Sequence, residues 1–212
     1  MKPSNIQVDP FEDFLEVIVS GDSATAIRLL DASPLLAKER AAHGATRQAA
    51  KPNFLDQILH YVYEGDTALH IAAAAHQTQI AEELIARGAD VRARNRRGAE
   101  PLHYAVDGGP SLPAWNPGAQ TKIIGSLIRA GADPNAIDRS GVAPLHRAVR
   151  NRCAAAVRAL IDGGADPRAP NRNGSTPLLL ANQNTGRGGS GSVEAKAQRE
   201  EILRILSERG AT

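Results

Sequence analysis

The chain has 212 residues, of which 25 are basic and 23 acidic, and this near balance argues against binding nucleic acid or other polyanions through overall charge. Hydrophobic residues make up 42% but aromatic residues only 3%, so the core must be built mainly from Ala, Leu, Ile and Val. A single cysteine excludes an intrachain disulfide, and no apolar stretch reaches the ~18 residues that a membrane span needs.

The N-terminal segment, MKPSNIQVDPFEDF, carries acidic residues early and lacks the apolar region of a secretory signal. Together with the lone cysteine, this predicts a cytoplasmic protein without a membrane anchor. Residues 11–20 and 23–31 are two helical stretches separated by Gly21-Asp22. They predict a helix–turn–helix unit over residues 9–40.

Residues 41–64 form a longer connection before the next unit. Five apolar residues within it are spaced as on one face of an amphipathic helix: Phe54, Leu55, Ile58, Leu59 and Val62. We therefore expect an extra helix inside this connection.

A four-residue motif then recurs along the rest of the chain. Its copies are Thr67-Ala-Leu-His70, Glu100-Pro-Leu-His103, Ala143-Pro-Leu-His146 and Thr176-Pro-Leu-Leu179. Each is followed by a second signature, Gly-Ala-Asp at Gly88, Gly131 and Gly164 and Gly-Ala-Thr at Gly210. Proline suits a first helical turn, where Thr176 can act as the cap, and glycine suits the left-handed position after a helix. Each unit is predicted to be helix, turn, helix and polar hairpin, and such units must stack to bury their apolar faces.

The spacing of the two signatures locates the irregularities. From each glycine to the next motif the distance is 12 residues every time, whereas from the second motif position to the glycine it is 20, 30, 20 and 33. The hairpins are therefore uniform, and insertions near residues 107–118 and 182–193 lie between the two helices of alternate repeats. We expect both insertions to project from the same edge of the stack.

The two signatures resemble those of the ankyrin repeat, and the resemblance covers residues 65–212 well. It implies an all-α fold, an ankyrin-repeat solenoid of stacked helix–turn–helix units with β-hairpin or loop fingers, in a single domain over residues 1–212. Residues 9–40 would be a degenerate N-terminal capping repeat and 41–64 a long first finger. The ranges 65–98, 99–141 and 142–174 would be repeats, and 175–212 a C-terminal capping repeat.

Residues that suggest chemistry have structural interpretations. The resemblance assigns the motif histidines, His70, His103 and His146, to hydrogen bonds with their own helix start and the adjacent backbone. Gly186-Arg-Gly-Gly-Ser-Gly191 matches G-x-G-x-x-G but follows a helix and not a strand, so we interpret it as a flexible linker. Cys153, beside Arg152, is best explained as a small packed residue. We expect no catalytic residues, cofactor or metal, and hence no enzyme.

Two surfaces carry side chains suited to binding. Residues 87–98 contain five arginines against one acid, and arginines continue on later hairpins, where they can pair with carboxylates of a partner. The only Trp lies in the first insertion, and Trp and Arg are enriched at interface hot spots. The candidate partner-binding residues are Arg92, Arg94, Arg96, Arg97, Tyr104, Trp115, Arg139, Arg147 and Arg172.

The resemblance implies a module that binds a partner protein through its concave hairpin and inner-helix face, with the insertions as a second surface. We expect a monomer with a protein partner, no membrane contact and no nucleic acid. One alternative is binding of nucleic acid or another anion through the Arg-rich hairpins, although the chain lacks an aromatic stacking platform. The other is small-molecule binding or enzymatic activity at the insertion edge.

Overall fold

Helix pairs follow one another along the chain in the structure, a computed structural model that describes residues 9–110, 112, 115–183 and 191–211. The α-helices of this part are α1 (Pro10–Ser20), α2 (Ser23–Ala32), α3 (Ala68–Ala74), α4 (Thr78–Ala86), α5 (Pro101–Ala105), α6 (Pro117–Arg129), α7 (Pro144–Arg150), α8 (Ala154–Asp162), α9 (Pro177–Asn182) and α10 (Val193–Glu208). Short 3-10 turns span Pro34–Ala37 and Lys51–Asn53, and two strands, β1 (Phe54–Leu55) and β2 (His60–Tyr61), lie between α2 and α3.

The helices form two layers. The first helices of the pairs contact one another in chain order and form one layer: α1, α3, α5, α7 and α9. The second helices form the other layer in the same way: α2, α4, α6, α8 and α10. Each helix also packs on the other member of its pair. This arrangement confirms the predicted all-α solenoid.

The core between the layers is built from small and aliphatic side chains. Leu69, Ile80, Leu102 and Ile123 are fully buried, and alanines such as Ala72 fill the spaces where neighbouring helices approach closely. Each large aliphatic side chain contributes roughly 1.5–3 kcal/mol when it is fully buried. The scarcity of aromatic residues is thus matched by thin helical layers.

The ends of the helices follow the signatures. Thr176 Oγ1 accepts a hydrogen bond from Leu179 N at 3.2 Å and caps α9, as its position predicts. After α4, Gly88 has φ +85°, and Ala89 N donates back to Leu84 O at 3.0 Å. This pattern closes a helix through a left-handed residue that glycine adopts without steric cost. The same backbone hydrogen bond recurs after α6, α8 and α10.

The loops between repeats, which we call fingers, are hydrogen-bonded to their neighbours. Arg96 N donates to Glu64 O at 2.8 Å and Arg139 N to Arg97 O at 2.9 Å, so consecutive fingers lie side by side. In the three fingers after the first, a side chain also donates to the carbonyl of the glycine that follows the second helix of the next repeat. These inter-repeat hydrogen bonds are Arg92 Nε to Gly131 O at 2.8 Å, Asn135 Nδ2 to Gly164 O at 2.9 Å and Arg168 Nε to Gly210 O at 2.7 Å.

The extra helix expected in residues 41–64 was wrong. β1 and β2 form an antiparallel hairpin in which Phe54 pairs with Tyr61 and Leu55 with His60. Val62 N donates to Asn53 O and Val62 O accepts from Ala45 N, both at 2.8 Å, so this backbone is paired between distant segments of the finger and not along a helix. The backbone turns at Leu59, which has φ +50° and an exposed side chain. We call residues 54–61 the first-finger hairpin.

The two insertions lie between the helices of a pair, because α5 ends at Ala105 and α6 begins at Pro117, while α9 ends at Asn182 and α10 begins at Val193. Trp115 of the first insertion is half-buried against the core. Residues 184–190 lie outside the described part of the chain, and with them most of the stretch interpreted as a linker, 186–191.

Candidate functional site

A cleft of about 490 Å³ opens on the side of the stack formed by the fingers and the first helices. The first-finger hairpin forms one wall, and α5, α7 and the next two fingers form the others. The side chains that give it its character are aromatic or charged: His60, Tyr63, Tyr104, Asp107, Asp138 and Arg147. We call this feature the finger cleft.

Four charged or ionisable side chains form a row across the cleft. His60 Nε2 lies 2.9 Å from Asp107 Oδ2, which joins the first-finger hairpin to the segment after α5. Arg147 of α7 then bridges two carboxylates, with Nη1 at 3.9 Å from Asp107 and Nη2 at 2.9 Å from Asp138. Asp138 Oδ1 accepts two further hydrogen bonds, from the backbone N–H groups of Ser140 and Val142. The row therefore connects the first-finger hairpin with the repeats at 99–141 and 142–174.

Beneath this row lies a buried polar floor centred on Asp66. Its carboxylate accepts hydrogen bonds from Asn95 Nδ2 at 2.8 Å, Tyr104 Oη at 3.1 Å and Tyr63 N at 2.7 Å. The Tyr104 ring packs tilted against the His60 ring at 4.4 Å between centroids. Tyr104 thus fixes the position of His60 from below, and the floor is rigid because its carboxylate has several donors.

The ionisation of the row follows from these contacts. Burial disfavours the charged imidazole, but the hydrogen bond and charge of Asp107 outweigh it and raise the pKa of His60 above its ordinary value. Burial likewise opposes charge on Asp107, but His60 and Arg147 hold the pKa of that carboxyl below its usual range. Burial acts against Asp138 too, and Arg147 lowers its pKa. Desolvation, with Asp66 and Asp107 nearby, raises the pKa of Tyr104 well above its ordinary value. At neutral pH the row therefore holds ionised carboxylates against Arg147.

The motif histidines have the structural role that was predicted for them. His70 Nδ1 accepts from Thr67 N at 3.1 Å, and its Nε2 lies 3.1 Å from Ala99 O in the next finger. His103 and His146 repeat the arrangement with Val142 O and Ala169 O. Burial is the main reason that the pKa of each is lowered, for His103 to about 4. Each neutral imidazole thus ties its helix start to the following finger.

Three of the predicted binding arginines are engaged within the stack. Arg92 makes one of the inter-repeat hydrogen bonds. Arg94 Nε donates to Glu100 Oε1 at 3.0 Å and its Nη2 to Ile137 O at 2.9 Å. Arg96 Nη2 donates to Ala45 O at 2.5 Å. These side chains hold neighbouring fingers together, although Arg92 and Arg94 remain exposed.

Three other candidates meet at the finger cleft. Arg97, Tyr104 and Arg147 all line it, and Arg97 is exposed at its rim. Arg97 Nη1 donates to Tyr63 Oη at 2.9 Å, and the guanidinium lies 4.9 Å from the centre of the Tyr63 ring. Arg139 and Arg172 are exposed on the next two fingers and are not among the lining residues.

Trp115 lies at a different groove, of about 480 Å³, between α6, α8 and α10 in the layer of second helices. Its indole N–H donates to Gln120 Oε1 at 3.3 Å, while one side of the ring packs on the core. Cys153 is buried nearby and its thiol donates to Gly108 O at 3.0 Å. Burial raises the pKa of Cys153 to about 12, so the thiol is protonated at neutral pH.

Sequence reasoning missed His60 and Asp107, which face each other across 47 residues of chain. His60 was hidden because its segment was interpreted as a helix, and Asp107 because it begins an insertion. The available signal was the pair of tyrosines, Tyr61 and Tyr63, which alternate with Val62 as in a strand.

No group of three or more His, Cys, Asp or Glu residues placed to hold a metal ion occurs in the ranges that the structure describes. None of the helices that the structure describes has the length and apolar character needed to cross a membrane.

Comparison with known families gives two matches. Residues 21–112 match a model described as ankyrin repeats in three copies, and residues 127–181 match a model described as ankyrin repeats in many copies. Together these matches cover more than half of the chain. Comparison with curated proteins gives no match.

Proposed function

Because the chain belongs to the ankyrin-repeat family, whose repeats are generally protein–protein interaction modules, we propose that it binds a partner protein through the concave face formed by its fingers and first helices. The finger cleft is the centre of the proposed binding face. The candidate contacts are Arg97, Tyr104 and Arg147 in the cleft and Arg139 and Arg172 on the fingers beyond it.

The observation that carries this proposal is the composition of the cleft. It combines tyrosines with arginine in a depression of about 490 Å³, and these residue types dominate the energetics of protein interfaces. The row from His60 to Asp138 holds the cleft walls in fixed positions. Preformed walls reduce the entropy cost of binding.

A steric variant tests the proposal without changing charge. Ser140 is exposed and lines the cleft, and its backbone N–H, which a substitution keeps, donates to Asp138. We expect Ser140→Trp to fill the cleft and to abolish capture of the partner from a lysate of the native host, followed by mass spectrometry. Lys122→Trp, at an exposed position of α6 on the other layer, is the matched control and should retain capture.

Equal capture by the wild-type chain and Ser140→Trp would refute binding at the finger cleft. Loss of capture in both tryptophan variants would point to damage unrelated to the cleft. Circular dichroism of each variant establishes that the helical stack is intact before capture is compared.

A second surface is favoured by the groove beside Trp115. It is lined by alanines of α8 together with Trp115 and Pro117, and an indole at its edge can anchor a partner. If this groove is used, Trp115→Ala should weaken binding by more than about 2 kcal/mol, which marks a hot spot. If titration with the captured partner shows a smaller loss of binding free energy, Trp115 serves to pack against the core and not to bind the partner.

We further propose that the chain acts by binding and not by catalysis, as a monomer in the cytoplasm. Repeats of this family are typically non-enzymatic, and Cys153 is a buried, unpaired thiol of the kind that suits a reducing compartment. Light scattering after gel filtration should give the mass of one chain, 22.4 kDa. A dimer mass would contradict the monomer.

A further inference from the structure

Three arginines, Arg97, Arg147 and Arg150, and two aspartates, Asp107 and Asp138, line the finger cleft. Asp66 in the floor beneath balances the third arginine, so the exposed positive charge is that of Arg97 at the rim. Protonation of His60, whose pKa is raised by Asp107, makes the cleft more positive as the pH falls. A cleft with walls of low polarizability concentrates such a potential at its mouth.

Both aspartates are occupied by donors within the protein. Asp138 accepts from two backbone N–H groups and from Arg147, and Asp107 pairs with His60 and Arg147. Their oxygens are therefore poorly placed to receive a cationic ligand, which would have to displace Arg147 or His60. The cleft is suited to an anion.

Arg97 is held in position at the rim. Its guanidinium lies over the Tyr63 ring and donates from Nη1 to the Tyr63 hydroxyl, and its backbone N–H donates to Asn95 Oδ1 at 2.8 Å. A guanidinium carries five N–H donors in a planar fork, and the contact with Tyr63 uses one of its nitrogens. Because this fork matches a carboxylate and its orientation is already fixed, little side-chain entropy is lost on binding.

Positive charge continues along the neighbouring fingers. Arg139 N is hydrogen-bonded to Arg97 O at 2.9 Å, and Arg172 packs directly against Gly141 of the adjacent finger. Both arginine side chains are exposed. An extended ligand that enters the cleft beside Arg97 would therefore pass two more cations on its way along the fingers.

We propose that the finger cleft binds a carboxylate from an acidic segment of the partner protein, with Arg97 as its anchor and Arg139 and Arg172 as contacts for further acidic residues. This inference rests on the binding face proposed above. The cleft volume of about 490 Å³ lies in the range of roughly 300–1,000 Å³ that is typical of ligand pockets, so one or two side chains fit.

The test uses the full chain and a displayed library of random 12-residue peptides. We expect the selected peptides to be enriched in Asp and Glu. Replacement of their acidic residues by Asn and Gln should weaken binding at least tenfold in fluorescence anisotropy. The double variant Arg97→Ala/Arg139→Ala should weaken binding of the acidic peptides to the same degree. Lys122→Ala/Arg129→Ala removes equal charge from exposed positions of α6 and should leave binding unchanged.

Selected peptides without acidic enrichment, or no peptides above background, would overturn the proposal. So would equal binding to the wild-type chain and Arg97→Ala/Arg139→Ala. Tighter binding of a random-sequence DNA duplex than of any peptide, with a steep dependence on salt, would replace it with nucleic-acid binding.

The same peptides separate this inference from the proposed function. Non-acidic peptides that bind the wild-type chain but not Ser140→Trp would support the proposed binding face and contradict the inference that it binds a carboxylate. Peptides that bind Ser140→Trp as tightly as the wild-type chain would contradict the proposed binding face.

Discussion

His60 and Asp107 are brought together from the first-finger hairpin and the segment after α5, and each alters the ionisation of the other. The imidazole is largely removed from water, with 13% of its side chain exposed, and this alone would lower its pKa. The carboxylate of Asp107 reverses that direction. The pair therefore joins two walls of the finger cleft with a strength that depends on pH.

Replacing Asp107 should reveal the effect of burial on the pKa of His60, which the charge of Asp107 now outweighs. In Asp107→Asn we expect the pKa of His60 to fall below its ordinary value of 6.5, because desolvation is the largest contribution that opposes protonation. An NMR titration of the His60 imidazole measures this directly. Asp138→Asn is the control, since Asp138 is hydrogen-bonded to Arg147 and to backbone N–H groups. An unchanged His60 titration in Asp107→Asn would contradict the proposed pairing.

The sign of the effect on stability follows from the raised pKa of His60. A histidine that binds its proton more tightly in the folded state stabilises that state fully below its unfolded pKa. The contribution is then lost as the pH rises through the raised folded pKa. The free energy of unfolding of Asp107→Asn should thus approach that of the wild-type chain more closely at alkaline pH.

At the scale of elements, Gly65, Gly98 and Gly141 each lie close to the backbone of the next finger. A Cβ atom at Gly141 would lie 2.6 Å from Arg172 Cβ and 2.9 Å from Arg172 N. At Gly174, the same place in the next finger, such a Cβ would have no heavy atom of the described residues beyond its chain neighbours within 4 Å. Both have left-handed backbones, with φ of +70° and +76°. The two glycines therefore share one conformation but differ in their surroundings.

This matched pair separates backbone strain from finger contact. Gly174→Ala should cost about 1–2 kcal/mol, the usual penalty for a left-handed residue with a side chain. Gly141→Ala should cost roughly 1–3 kcal/mol more, because the clash forces the finger of Arg172 to move. Urea denaturation at pH 7 measures both. Equal losses of stability in the two variants would mean that the close approach of Gly141 to Arg172 does not restrict the residue at this position.

Sequence patterns predicted most elements of this fold because the repeat signatures act locally. The proline and glycine positions mark helix starts and ends whatever the neighbours are, and the constant 12-residue spacing defines the fingers. The first-finger hairpin could not be predicted in this way. Its apolar residues have helical spacing, and only the backbone pairing of Val62 with Asn53 and Ala45 shows that the segment is extended.

The candidate site was predictable only in part for a similar reason. Arg97, Tyr104 and Arg147 were identified by residue type and by their place in the repeat. His60 and Asp107 acquire their roles through a contact between an irregular hairpin and an insertion, whose geometry no repeat signature specifies. Sequence reasoning thus identified three of the residues that line the finger cleft but not the row of charges that shapes it.

For the whole molecule, three buried histidines and the half-buried His76 make stability depend on pH. Burial lowers the pKa of His70, His76, His103 and His146, so the unfolded chain protonates before the folded one as the pH falls below about 6.5. As the pH falls from the unfolded pKa of each group to its folded pKa, the free energy of unfolding therefore decreases. For His103 that window extends down to about pH 4.

We expect the free energy of unfolding to be lower at pH 5 than at pH 7. His103 alone should account for about 2 kcal/mol of the decrease, since one pKa unit corresponds to about 1.4 kcal/mol. His60 opposes the change because its pKa is raised. Urea denaturation at both pH values, repeated with His103→Gln, measures the share of this histidine. Equal stability at the two pH values would contradict the buried, neutral state of these imidazoles.

The inter-repeat hydrogen bonds bear on how such a chain can change in length during evolution. Arg92, Asn135 and Arg168 each donate to a backbone carbonyl of the next repeat, at the glycine that follows α6, α8 or α10. Donor and acceptor are thus encoded once per repeat, and the acceptor needs no particular side chain. A tandem duplication of the gene segment for one finger and one helix pair would supply a donor for its neighbour and an acceptor for the preceding finger. The junctions of this stack are therefore compatible with growth by copying, without compensating substitutions at each new boundary.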